Sequence, residues 1–138
     1  MSDDVPTLRQ IVLDGTDIRA LAEFWRELLG LHYRPGDEQP GDDEDWLVLR
    51  DAAGSRQLAF QRVERLTAST WPDDSIPQQL HLDLTVSTAD DLLAQHDRAL
   101  ALGARQILDR FDDPDEPLRV YADPADHPFC IFVASSEV

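Results

Sequence analysis

The sequence predicts an α+β fold of two βαβββ modules, forming a curled mixed sheet around a cavity with the helices outside. Three observations predict it. An alternating segment, Gln79 to Val86, runs directly into a helix start at Thr88, and that helix ends at Gly103. The same order of strand, helix and glycine occurs earlier, in Thr7 to Asp14, Asp17 and Gly30. After each glycine come a short piece, an acidic loop, a strand, a turn opening with Asp and a last apolar strand. Two copies of this length do not make a solenoid; they read as pseudo-symmetric modules, spanning about 7–63 and about 79–135, within a single domain over 1–138.

Taken in order, the first strand sets Leu8, Gln10, Val12 and Asp14 on one face and Arg9, Ile11 and Leu13 on the other. Asp17 caps a helix through Leu21, Phe24, Trp25, Leu28 and Leu29, and its two aromatic residues at helical spacing are core or subunit-contact positions. Leu31 to Tyr33 is the short piece, Trp46 to Arg50 the next strand, Asp51 to Gly54 the turn, and Leu58 to Gln61 the last strand of the first module. A crossover from Arg62 to Gln79 follows, in which Trp71-Pro72 either anchors the linker on the body or contributes to a dimer or pocket wall. In the second module His81, Asp83 and Thr85 alternate with Leu82, Leu84 and Val86. Thr88-Ala89-Asp90-Asp91 has capping-box spacing, and Gly103 stands just past the helix it opens. The remaining strands are Ala104 to Leu108, Leu118 to Ala122 and Phe129 to Ala134.

A chain of 138 residues with 42% hydrophobic content supports one core, and neither half should stand alone. Twelve basic against 28 acidic residues give a formal charge of −16, which excludes a general nucleic-acid binder because no basic stripe replaces counterions. The acidic runs at Asp37 to Asp45 and Asp112 to Glu116 lack calcium-loop order and read as solvated loops. One cysteine, Cys130, rules out an intrachain disulfide. With no secretory signal and no membrane span in the sequence, a cytoplasmic protein is expected.

The candidate chemistry is sparse. His81 faces the polar side of its strand, and Gln10 is its positional counterpart, each seven residues before its helix cap. Cys130 shares a face with Phe132 and Ala134; as a nucleophile it would need a base, for which His81 and His127 are the partners to consider. Trp46 stands at the mouth of a strand, and Tyr121 has the opposite parity to Leu118 and Val120. No Ser-His-Asp order, phosphate loop, H-E-x-x-H or C-x-x-C is present.

Three groups of residues carry a family resemblance: Leu8 to Asp14 with Ala22 to Leu31, Gln79 to Leu84 with Ala99 to Ala104, and Tyr121 to Cys130. In these the chain resembles the vicinal oxygen chelate superfamily, particularly its glyoxalase-like and bleomycin-resistance-like members. The resemblance covers nearly the whole chain and is more specific for fold than for reaction. It implies ligands on the first and last strands of each module, which makes Gln10, His81 and Cys130 the metal candidates. Cys130 stands where the last strand usually supplies Glu, and the matching first-module place falls near Leu58, with Phe60 on the same face. With the usual carboxylate missing, a weak, soft divalent-metal site is implied. Asp126 also stands where many relatives have Gly.

These readings converge on a small-molecule binding protein that takes a largely apolar or aromatic ligand on Gln10, Trp46, Phe60, His81, Tyr121, Cys130 and Phe132. The alternatives are a metal-dependent lyase, isomerase or dioxygenase, and a non-catalytic interaction module with a vestigial cavity. The resemblance also implies a homodimer.

Overall fold

The computed structural model describes residues 5–134 and divides the chain into two compact units, Met1–Arg65 and Leu66–Val138. The first unit holds β1 (Ile11–Gly15), α1 (Ile18–Leu29), β2 (His32–Tyr33), β3 (Trp46–Arg50) and β4 (Arg56–Arg62). The second holds β5 (Leu82–Val86), α2 (Ala89–Leu102), β6 (Arg105–Arg110), β7 (Leu118–Ala122) and β8 (Pro128–Val133). Each unit is one βαβββ module. Their sheets have the same topology, ordered β1-β4-β3-β2 and β5-β8-β7-β6, with the first and last strands parallel and the other pairs antiparallel. The strands thus hydrogen-bond as two sheets of four.

Both helices begin and end as their local sequence dictates. The Asp17 carboxylate accepts from Ala20 N at 3.1 Å, and Thr88 Oγ1 accepts from Asp91 N at 3.1 Å, each satisfying a backbone donor that the helix leaves unpaired. Gly30 and Gly103 close the helices at φ 67° and 119°, a region open to glycine because it has no Cβ. The first strand of each module is shorter at its start than its alternation suggests. β1 begins at Ile11 and β5 at Leu82, so Gln10 and His81 stand one residue outside their strands.

The modules differ in how much their helices bury. In α1, Ile18, Leu21, Ala22, Phe24, Trp25 and Leu28 are buried, and the Phe24 and Trp25 rings meet edge-on at 5.3 Å. The aromatic pair is therefore core, and burial of such rings is worth several kcal/mol, of the order of 3–5 on truncation. In α2 only Leu92 and Ala99 are buried, while Leu93 and Leu100, seven apart on a neighbouring stripe, are each 41% exposed.

Cross-strand register assigns the faces. In the first sheet Ile11, Leu58 and Leu49 form one row and Leu13, Phe60 and Leu47 another on the same face. All but Ile11 are fully buried, as on the side of a sheet that a helix covers. The opposite face carries Val12, Ala59 and Val48, then Asp14, Gln61 and Trp46. Among the described residues no helix is long and apolar enough to cross a membrane.

Candidate functional site

The second sheet brings three donor groups together. Alternation along β5 sends His81, Asp83 and Thr85 to one face, and the parallel register sets Asp83 directly beside Cys130 and Thr85 beside Phe132. His81 Nε2 lies 3.2 Å from Asp83 Oδ1. Donor atoms of His81, Asp83 and Cys130 all fall within 4.8 Å of one another. Val120 and Leu118 of β7 continue the rows of Cys130 and Phe132, so an apolar strip borders the polar trio.

The electrostatics of the trio are those of an acid-lined, partly desolvated thiol. Burial pushes the Cys130 thiol up to about 11, and the Asp83 charge and hydrogen bond, with the Glu116 charge, add to it. Near neutral pH it is a neutral thiol, short of the thiolate that nucleophilic attack needs. Metal coordination would reverse that preference by displacing the thiol proton. One nitrogen, one carboxylate and one sulfur fit a borderline ion such as zinc, with a position left open for a ligand. The carboxylate in this set is Asp83, supplied by β5 rather than by the last strand.

Other expected site residues go elsewhere. Tyr121 belongs to the helix side of its sheet: its ring stacks on Phe129 at 5.3 Å and its hydroxyl pairs with His96 Nδ1 of α2 at 2.8 Å. It is fully buried, and burial raises its phenol to about 12. Phe60 likewise sits with Leu13 and Leu47 on the buried face, because strand parity ties it to Leu58. Both are core residues: Phe60 does not share a face with Gln10, nor Tyr121 with His81. Register also corrects the internal alignment: as Asp83 pairs with Cys130, so Val12 pairs with Ala59, making Ala59 and not Leu58 the counterpart of Cys130.

Gln10 lies in the first unit, where its Oε1 accepts from Arg56 Nη1 at 3.4 Å. Trp46, 37% exposed, lines an open cleft of about 260 Å³ with Arg19, Asp37, Glu44 and Leu47. The acidic loop around it is tied down. Arg19 forks onto Glu44, donates to the Asp37 carbonyl at 2.8 Å and lies over the Tyr33 ring at 4.8 Å, while Asp37 pairs with Arg34 at 3.1 Å and accepts from Val48 N at 3.0 Å. Two of the acidic residues read as solvated are thus structural.

His127 is a turn residue. The buried Asp123 carboxylate accepts from Ala125 N and His127 N at 2.9 Å and holds His127 Nδ1 at 2.8 Å. Asp126, within this turn, takes φ 70°, a left-handed backbone that its short side chain tolerates. The sequence reading missed Asp83 as a donor, although the alternation that set it beside His81 was the available signal.

Comparison with known proteins follows the same lines. A family model described as "Glyoxalase-like domain" matches residues 10–132. A search of curated proteins by sequence found no significant match. Among solved structures the chain is similar to a glyoxalase/bleomycin resistance protein/dioxygenase family enzyme from Burkholderia phytofirmans PsJN, at 18% identity and TM-score 0.69, covering 92% of this chain and 98% of that one. It is similar to fosfomycin resistance protein FosX from Mesorhizobium loti at 11% identity and TM-score 0.67, covering 96% of each chain. FosX from Listeria monocytogenes, solved with Mn(II) and a sulfate ion, matches at 15% identity and TM-score 0.66, again over 96% of each chain. Identities this low speak for the fold.

Proposed function

The chain belongs to the glyoxalase-like domain family, and from that premise we propose that it is a small-molecule binding protein whose second module presents His81, Asp83, Thr85, Cys130 and Phe132 to its ligand. The observation that carries this reading is the meeting of three polar donors on one sheet face beside an apolar strip. Such a surface suits a ligand with an apolar body and one hydrogen-bonding or cationic group directed at His81 and Asp83. With Tyr121 in the core, the aromatic contact in this module is Phe132, which stands beside Thr85.

The donor set favours a second reading, in which His81, Asp83 and Cys130 hold a divalent ion. An ion there would supply Lewis-acid polarisation of a bound oxygen. The chain's own contribution is to hold the three donor groups on one face, with Asp83 Oδ1 3.2 Å from His81 Nε2.

One experiment separates the two. The protein is purified without chelator, its metal content is measured, and wild type, His81→Ala and Cys130→Ser are titrated with a ligand identified by small-molecule screening. Binding without metal, weakened by about 1–3 kcal/mol in H81A, supports the binding protein. Stoichiometric metal lost in both variants supports the metal centre, and unchanged affinity in H81A with no metal defeats both. The proposal includes a cytoplasmic homodimer, for which the exposed Leu93 and Leu100 of α2 offer contact area now that Phe24 and Trp25 are committed to the core. Sedimentation at physiological salt should give twice the chain mass.

A further inference from the structure

We propose that one end of the first sheet is a binding site for a small oxyanion, a phosphate or carboxylate group, held by Arg9, Arg50 and Arg56. The register builds the site. Arg50 of β3 pairs directly with Arg56 of β4 and, on its other side, with His32 of β2. The bulge between Leu49 and Arg50 interrupts the alternation at this end of the sheet, and Arg9, just outside β1, stands close enough for its charge to act on Arg56. One row therefore reads Arg56, Arg50, His32, with Arg9 at its end, and three of these four groups are permanently cationic.

The local carboxylates do not answer these charges. Asp51, next to Arg50 in sequence, accepts from Ala53 N and Ser55 N at 3.0 Å and from Gln57 Nε2 at 3.2 Å. Asp37 pairs with Arg34. Among the described residues Arg9, Arg50 and Arg56 lie within ion-pair distance of no carboxylate, in a chain with 28 of them. Arg56 has Gln10 as its hydrogen-bonding neighbour, and the Nε of Arg50 is buried with no partner. Burial and the charges of Arg9, Arg34 and Arg50 lower the Arg56 pKa, with Asp37 opposing, so the group is short of negative charge. Arginine cannot relieve this by losing a proton, and its planar fork matches the paired oxygens of phosphate and carboxylate. An anion among the three would answer the repulsion and give the buried Nε an acceptor.

The test is calorimetric titration of the full chain with inorganic phosphate at pH 7, against chloride at equal ionic strength. Saturable phosphate binding is expected in wild type, weakened at least about tenfold in Arg50→Gln and in Arg56→Gln. Arg9→Gln, outside the strands, should weaken it severalfold without disturbing the fold, as circular dichroism would check. Arg105→Gln, whose residue pairs with Asp126, should bind as wild type does. Heats no different from those of chloride, or an affinity equal to that of wild type in all three variants, would overturn the proposal. So would a dimer in wild type that R50Q and R56Q both dissociate, since the row would then be answering the acidic surface of a second copy.

Discussion

Cys130 is the only cysteine of the chain, so any thiol assay reports this position alone. Its thiol is displaced from the ordinary 9.0 to about 11, with burial the largest cause and Asp83 next. At pH 8 a thiol of pKa about 9 is roughly one-tenth thiolate and one of pKa about 11 roughly one-thousandth, a hundredfold difference in the reactive anion. The more basic thiolate is the better nucleophile; with a Brønsted coefficient of about 0.45 it recovers roughly eightfold. The folded protein should therefore react about twelvefold more slowly than the unfolded chain at pH 8, before any loss of access is counted. The assay is reaction with the neutral reagent 2,2′-dithiodipyridine between pH 7 and 11, native and in urea, followed by absorbance of the released thiopyridone. The native rate should climb steadily through pH 10 and bend near 11. Asp83→Asn removes one charge but leaves the burial, so its bend should move only part of the way towards 9. A native rate equal to the unfolded rate, or a bend at 9, would refute the picture of a desolvated thiol beside a carboxylate.

Two further outcomes test other parts of the structure. The Arg26 hydrogen bonds, opposed by burial and aided by Tyr33, hold the Glu23 carboxyl at about 2, below its ordinary 4.5. The unfolded chain takes up that proton first, so the stabilisation is present above about pH 4.5 and is lost as pH falls towards 2. Glu23→Gln should flatten the acid limb of a urea-midpoint profile, by no more than about 1 kcal/mol because the two side chains are 33% and 41% exposed and solvent screens the pair; parallel limbs would remove the role. Tyr121→Phe should cost about 0.5–1.5 kcal/mol in urea unfolding through loss of its bond to His96, and should leave ligand affinity unchanged because the ring is on the helix side; weakened binding would return it to the site.

The sequence by itself determined what is local. Helix caps at Asp17 and Thr88 and left-handed closures at Gly30 and Gly103 are set within a few residues, by side-chain hydrogen bonds and by the absence of a Cβ. Alternation alone put His81 and Asp83 on one face, while helical spacing marked Phe24 and Trp25 as core or subunit contact and only the fold placed them in the core. Repetition of the pattern was enough for the βαβββ modules. What only the tertiary structure decided is which residues of different strands stand side by side. That Asp83 meets Cys130, that Ala59 and not Leu58 is its counterpart, and that Phe60 and Tyr121 face the helix side all follow from register. So does the arginine row, whose members are scattered over the first module and include Arg56 beside a bulge between Leu49 and Arg50. A one-residue change of register exchanges the two faces of a strand, and register is fixed by the sum of cross-strand hydrogen bonds and buried side chains over the whole sheet. No single segment carries that sum.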